Sequence, residues 1–470
     1  MNKRIILLLL AGTIAVNLYS QKIYSDNTFG ENGRTIIPNT SEIVFFDFDN
    51  HGNIISAGYT LTGGGKYDLT LTKTTANGII DDSFGSGGVS KVTDYDQSLP
   101  LALKITNDNK IVVVGTFTEV QYQGRETLIM QFNENGTVDE NYGDNGKVNL
   151  NFNTGDLISL NCESNDFMFL GRSEGETTES NGQLYYNLTG YSVSKYDYDG
   201  HLDENFGENG KAQLPDYMRP TSIKNLNDDS VAVAGTYNRF PDTELGFCKL
   251  TSAGVLDTNF ANDGIWHRNT MQDFYLAHES FTSIREEKSG NLILSGRGLA
   301  NNLYSCKGPF LSKFSNDGML DTDFGENGFY CAGFSDSYNA IFQIGDKYVI
   351  TFRKNDSHKL LYINGDGSFG DDAYTSGLHF LKSMKMQREL NKIVLAGSYK
   401  INDSVNFALE RVSFDFESSI HSINSKTDGT TIYPNPAKEV LYFSNEISFE
   451  ITDIQGNILL KSVNPVKSVD

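Results

Sequence analysis

Cysteine is scarce. Four in 470 residues, at Cys162, Cys248, Cys306 and Cys331, are too few to staple a chain this long. None recurs at a fixed interval and no CxxC or other metal-ligand spacing exists, so three disulfide pairings or buried free thiols all stay open. Basic residues are also in deficit. The 38 Lys and Arg against 60 Asp and Glu give a net charge of -22, which argues against nucleic acid, whose backbone demands basic surface. That balance fits a soluble surface protein or one that meets cations, and it is not evidence of activity. Proline is low at 9. Long apolar runs are missing after the first one. Lys3 and Arg4 precede a nearly unbroken apolar run over 5–16, and small and polar residues follow. This is a signal peptide over 1–21, cleaved near Ser20 or Gln21, too short and too early for a spanning helix. No later segment is long and apolar enough to cross a membrane.

Catalytic motifs are lacking as well. His51, His201, His267, His278, His358, His379 and His421 share no register. His278-Glu279 has no second histidine at the zinc spacing. Gly63-Gly64-Gly65 lacks the strand-to-helix setting of a phosphate cradle, and there is no GxSxG elbow. The sequence therefore nominates no catalytic and no cofactor-binding residue.

What is present is a short stretch that returns. It occurs at 26–33, 81–88, 139–146, 203–210, 257–264 and 321–328, each opening on Asp and closing on Gly. A worn copy at 371–377 has Tyr374 in the aromatic place and one residue deleted. The aromatic residues Phe29, Phe84, Tyr142, Phe206, Phe260, Phe324 and Tyr374 lie 55, 58, 64, 54, 64 and 50 positions apart. A period near 60 marks a repeat architecture. With 45 Gly, 30 Phe and 24 Tyr, the composition suits many strands joined by tight turns.

Each unit carries the same parts. A short extended piece follows the anchor, then an alternating segment, a polar turn and an apolar strand closed by glycine, as at 54–58, 111–115, 167–171, 231–235, 292–296 and 393–397. The strand at 348–352 has lost its glycine. Short apolar runs bounded by Asn, Asp and Gly read as strands with hairpin turns, and their near-continuous hydrophobicity implies cover on both faces. A third strand, as at 69–73, 128–132, 191–196 and 310–314, leads through a second turn such as Asn77-Gly78 to the next anchor. Insertions at 173–183 and 239–244 are expected to form longer loops on one face.

Four short antiparallel strands per unit, seven times over, predict an all-β seven-bladed propeller over 24–416. A solenoid would need polar caps, which are absent. The first anchor is followed by an extended piece with no blade before it, and the seventh unit lacks a fourth strand. Pairing 34–37 antiparallel with 407–412 removes both loose ends and leaves no open edge.

The anchors LDENFGENG, ending at Gly210, and LDTDFGENG, ending at Gly328, with the strands NKIVVVG at 109–115 and NKIVLAG at 391–397, resemble the delta-60 repeat of bacterial propellers. The resemblance implies a seven-bladed propeller, often on exported proteins, and no single activity. After a polar linker at 417–429, residues 430–470 read as a small β module with a hairpin at Gln455-Gly456. Its stretches YPNPAKEVLYF and FEITDIQGNILL resemble the type A C-terminal sorting domain of the Bacteroidota type IX secretion system. The family usually continues with a glycine-tyrosine strand and a short basic end, so the likeness is to a partial domain. It implies export, the type IX machinery as a partner, and an extracellular or outer-membrane-surface location.

Two readings of the anchor acids are weighed. Asp203, Glu204, Asn205, Glu208 and Asn209, echoed by Asp321, Asp323, Glu326 and Asn327, are oxygen-rich, as calcium prefers, but do not follow EF-hand spacing. The favoured reading is that they accept turn hydrogen bonds, and that the aromatic residues are core. The function expected is a monomeric binding or interaction scaffold touching a glycan or a surface protein. The alternative is a polysaccharide hydrolase or lyase, which would place paired carboxylates, or an acid with a histidine, at a channel mouth.

Overall fold

The computed structural model describes residues 23–414 and three C-terminal strands. Within these bounds, 119–124, 154–156, 165, 181–182, 240–241, 269–279, 300–306, 333–337, 345–346, 355–356, 388–389, 391, 403 and 415–431 are not described. The expected signal peptide, linker and hairpin at 455–456 therefore lie outside the described residues.

The fold is all-β and propeller-like. The first unit pairs Glu42–Phe48, Ile54–Thr62, Lys66–Thr74 and Val89–Val92 in sequence order, all antiparallel. The second repeats this from Gln97–Ile105 to Lys147–Asn153, joined to the first by the parallel bridge Tyr67–Gln97. Four-stranded antiparallel sheets follow over 157–213, 218–267, 280–331 and 338–376. A last sheet runs Phe380–Gln387, Lys392–Ile401 and Ser404–Phe414. It receives Arg34–Ile37 from the other end of the chain, with Arg34 opposite Glu410 and Ile37 opposite Phe407. The expected closing pair is there. An unexpected strand, Ile23–Ser25, extends it along the same edge against Val412 to Phe414.

The first strands touch in a closed order. Glu42–Phe48 lies against Gln97–Ile105, which lies against Leu157–Asn161. Met218–Asn225, Ser280–Glu286, Tyr338–Ile344 and Phe380–Gln387 continue the series, and the last returns to Glu42–Phe48. Each also carries a bulge after its first residues, as between Ile43 and Phe45, which adds local twist.

The anchor explains why the sheets pack side by side. Its Asp backbone N–H bonds the third strand, as from Asp257 to Lys249 O at 2.9 Å, and its carboxylate accepts the N–H two residues on, as Asp203 does from Asn205 at 3.1 Å. The chain then swings the aromatic ring inward, and Phe29, Phe84, Tyr142, Phe206, Phe260 and Phe324 are all buried. The ring lands on the turn of the neighbouring unit. A Cβ at Gly78, where φ is +78°, would lie 2.7 Å from Phe29 Cζ. One residue beyond the ring, a backbone N–H reaches the same turn: Gly30 to Asn77 O at 2.8 Å, Gly207 to Ala253 O and Gly325 to Asp366 O at 2.7 Å. The glycine turns thus serve two ends, left-handed backbone and room for the ring.

Two expectations need correction. The worn anchor at 371–377 is no turn: Phe369–Ser376 is a strand paired with Ser357–Ile363, and Tyr374 packs from it against the core of the last sheet. With one residue fewer, the segment is too short to loop out and satisfies its backbone by pairing. The insertion at 173–183 is not a loop either, since Phe167–Ser180 and Gln183–Asp197 run on as one long hairpin, with a register shift at Glu174/Gly175. At the smaller insertion, Arg239 pairs with Asp242 in the same way. Cys162 and Cys248 are free and Cys331 is disulfide-bonded, while Cys306 lies outside the described residues. The C-terminal strands Ile432–Tyr433, Leu441–Thr452 and Ile458–Val469 form an antiparallel sheet of their own.

Candidate functional site

The glycine-closed second strands give a common ruler for the first strands. Three residues before each closing place, the partner on the first strand is Asp47 (opposite Ile55), Lys104 (Val112), Lys224 (Ala232), Arg285 (Ile293), Phe342 (Val349) or Lys385 (Val394). In the third unit Cys162 follows Asn161, opposite Phe169, and occupies the corresponding place. All seven are half-buried. Four cations therefore share one register on the innermost strands of a strongly acidic chain.

These charges converge. Lys385 bridges to Asp47 at 2.7 Å, across the junction of last and first sheets, and Asp47 also accepts the Ile105 N–H at 3.2 Å. Lys224 pairs with Glu163, and Lys104 Nζ donates to the Glu163 carbonyl at 3.2 Å. Burial pushes the Glu163 carboxyl up, but Lys224, Arg285 and Lys385 outweigh it and hold the pKa below the ordinary value. Its side chain nevertheless keeps 52% of its surface open. This carboxylate is open to solvent and yet lies near cations from three other sheets. Arg285 lies 5.6 Å over the Phe342 ring and has no ion-pair partner among the described residues. Glu286, next to it, accepts the Asn227 N–H at 2.8 Å.

The groups on this ring are mostly cations and hydrogen-bond donors. Burial pushes the Cys162 thiol up to about 12, with Lys104 and Lys385 opposing, so the sulfur stays protonated and unreactive near neutral pH. Glu163 is held ionised and has no proton to give as a general acid. What remains is Arg285, a planar donor suited to carboxylate, sulfate or phosphate oxygens.

The residues weighed from sequence fall elsewhere. Asp203 accepts turn N–H groups and pairs with Lys195 at 3.2 Å, and Asp321 accepts the Asp323 N–H at 3.2 Å. Asn209 and Asn327 occupy left-handed backbone at φ 53° and 52°. Two other groups could hold a cation by proximity, Asp49 with His51 and Glu134, and Asp197 with Asp199 and His201. The first already contains Lys73 Nζ, 3.3 Å from Asp49 and 3.4 Å from Glu134. An acid with a histidine does occur, Glu244 with His267 at 3.2 Å. It sits on the third and fourth strands of its sheet, away from the inner ring. Sequence reading missed the cation ring because unequal insertions shift its members relative to the anchors. Counting back from each closing glycine is the signal that finds it.

The family model described as a domain of unknown function (DUF5122) beta-propeller matches residues 106–142. No curated protein matches the chain. Among solved structures, the beta-propeller domain of the Trilobed protease from Pyrococcus furiosus is similar at 9% identity and a TM-score of 0.45, over 81% of this chain and 96% of that one. The acylaminoacyl peptidase of Pyrococcus horikoshii gives 10% identity and 0.45 over 88% of this chain, which spans only 59% of the peptidase. Sqt1 from Chaetomium thermophilum gives 9% and 0.44, over 79% of this chain and 97% of that one.

Proposed function

We propose that the protein is a secreted or cell-surface seven-bladed propeller of the delta-60 type that works as a binding scaffold, with an acidic ligand engaged at the inner cation ring. The observation that carries this is the recurrence of Lys104, Lys224, Arg285 and Lys385 at one strand register in a chain of net charge -22. Support for the blade count comes from the closed order of first strands and the completion of the last sheet by Arg34–Ile37. Support for the address comes from the apolar run at 5–16 and the tail at 430–470, which would engage the type IX secretion machinery. No helix among the described residues is long and apolar enough to cross a membrane.

The test is a binding and turnover screen of the secreted chain against acidic polysaccharides such as polygalacturonate and a sulfated glycan. Arg285→Ala is expected to weaken binding about tenfold, equal to about 1.4 kcal/mol, and added salt to weaken it further. Release of reducing ends or unsaturated products would replace this reading with the hydrolase or lyase. Binding unchanged in R285A would remove the ring from it.

A further inference from the structure

A second feature lies at the other end of the fourth sheet. Residues 215–218 form a tight turn in which the Met218 N–H donates to the Pro215 carbonyl at 3.0 Å. Tyr217 fills its third place with φ at +68°, where glycine or asparagine is the ordinary occupant. Every other non-glycine residue with positive φ among the described residues is Asn, Asp or Ala. A tyrosine there is strained backbone, and the turn presents its ring to solvent, 55% exposed.

The ring is not isolated. Its edge meets Tyr237 at 6.3 Å and 77°, and Tyr237 in turn stacks on His267 at 5.0 Å and 16°. His267 Nδ1 lies 3.2 Å from Oε2 of the buried Glu244. With Nδ1–H directed at that carboxylate, Nε2 is the ring nitrogen left for a ligand. Gly246 pairs with His267 in the sheet; a Cβ there would come within 2.6 Å of Met218 Sδ and 3.1 Å of Tyr237 Cβ. The missing side chain is what lets the Tyr237–His267 stack form. Asp216 and Arg219 flank Tyr217, both exposed.

We propose that this array is a carbohydrate-stacking subsite. Tyr217 is the platform for the C–H face of a neutral pyranose, and His267, oriented by Glu244, hydrogen-bonds a hydroxyl of the bound oligosaccharide. One flat ring bordered by polar side chains matches a sugar, which has an apolar face and a polar rim. A protein partner would want a contiguous apolar centre, and no other large apolar side chain is exposed in 213–219 or 235–246 among the described residues. The subsite is independent of the cation ring. Tyr217 immediately precedes the strand Met218–Asn225 and Lys224 is near that strand's far end, on the order of 20 Å away.

The experiment uses the secreted full chain and neutral hexaoses of β-1,4-glucose, β-1,3-glucose, β-1,4-xylose and β-1,4-mannose, read by calorimetry. At least one hexaose is expected to bind, Tyr217→Ala to weaken it about tenfold or more, and Tyr217→Phe to stay within about twofold. Tyr217→Gly is expected to abolish binding while leaving the melting temperature equal or higher, because it relieves the turn. Absence of binding by all four hexaoses overturns the subsite, as does undiminished binding by Y217A. Loss of hexaose binding in R285A but not Y217A would also overturn it. Loss of acidic-polysaccharide binding in R285A concerns only the ring.

Discussion

The junction between the fourth and fifth sheets and the junction that closes the ring are built on one plan and secured differently. At the first, Phe260 enters the turn at Gly318 and Ala261 N–H bonds Asp317 O at 2.7 Å, while within the fourth sheet Lys249 pairs with Asp228 at 3.0 Å. At the closure, Phe29 enters the turn at Gly78 and Gly30 N–H bonds Asn77 O at 2.8 Å. The place of Lys249, whose carbonyl receives the anchor Asp N–H, is taken there by Arg411. Lys73, Lys195 and Lys313 hold that place in other units, with Gln131 in the second.

Arg411 does more than a lysine could. Its side chain is 1% exposed. Nε donates to Asp26 at 2.6 Å, Nη1 to Ala76 O at 2.7 Å and Gln387 at 3.1 Å, and Nη2 to Thr28 at 3.3 Å. The guanidinium also lies 4.8 Å over the Phe29 ring. Lys392 adds a bond to Asp26 at 2.6 Å, and Arg34 Nε reaches Glu410 at 2.8 Å. Asp26 and Arg411 are 385 residues apart. Joining ends that distant costs roughly 1 to 2 kcal/mol more in loop entropy than joining neighbours one repeat apart. Charge-assisted hydrogen bonds contribute about 1.5–3 kcal/mol each, so a small network offsets the difference. Chain continuity holds an ordinary sheet together, whereas the closing one depends on strand pairing between the two chain ends and on this side-chain network.

Removing the closing strand should have the largest effect. Deleting 29–38 takes out Phe29, Gly30 and the strand Arg34–Ile37, and the deleted chain is expected to lose its cooperative melt. Ending the chain after Gly429 should leave the melt nearly unchanged. Equal melting of the two truncations would show that the closure does not hold the fold.

Next comes the latch itself. Arg411→Leu leaves Asp26 with Lys392 and Thr28 but removes the guanidinium bonds to Asp26, Ala76 O and Gln387, and at about 1.5–3 kcal/mol for each hydrogen bond to a charged group the loss should reach about 3–5 kcal/mol. Arg411→Lys, which restores the residue of the ordinary junction, should cost clearly less in a urea melt. Phe206→Ala, a buried ring at an ordinary junction, should also cost about 3–5 kcal/mol through its cavity. Ring packing would then be common to all junctions and the polar network special to one. An F206A melt matching the parent would put that ring outside the core.

Acid should open the last sheet before it releases the latch. His358 is buried in the sixth sheet and its Nε2 accepts the Leu381 N–H of the last one at 3.2 Å. Burial, with Arg353, His379 and Lys382 nearby, lowers its pKa to about 4. The unfolded chain binds this proton more readily, so stability is lost as pH falls from about 6.5 toward 4, by about 2 kcal/mol at pH 5. Burial raises the Asp26 carboxyl, but Lys392, Thr28 and Arg411 outweigh that and hold it far below the ordinary range. Its contribution is present above the unfolded carboxylate range near 4 and is lost only below it. Urea melts at neutral pH and pH 5 on the parent and His358→Gln should show the first loss only in the parent.

Much of this fold was legible. The anchors fixed the period, and the loose piece at 34–37 with the short last sheet required each other, since an unpaired edge is a liability. The anchor rings could be assigned to the core because an aromatic residue repeats where polar turn residues surround it. The cation ring was hidden by insertions that separate register from residue number. Tyr217 was hidden because φ is not written in a single tyrosine codon of a Pro-Asp-Tyr-Met turn. Arg411 was hidden because its partners come from 26–28, 76–77 and 387, which only ring closure brings together.

The smallest expected effect is the one that defines the comparison. Lys249 occupies the Arg411 place, yet its partner Asp228 has 59% of its side-chain surface exposed, and Ser230 also holds that carboxylate through its N–H at 3.0 Å. Burial raises the Asp228 pKa, and Ser230 and Lys249 together bring it below the ordinary value. Removing Lys249 leaves Asp228 solvated and still bonded. An exposed pair of this kind contributes about 0.2–1 kcal/mol, so Lys249→Ala should shift a urea midpoint little and less still in high salt. If K249A destabilised as much as R411L, the two junctions would be equivalent and the closure would have no special chemistry.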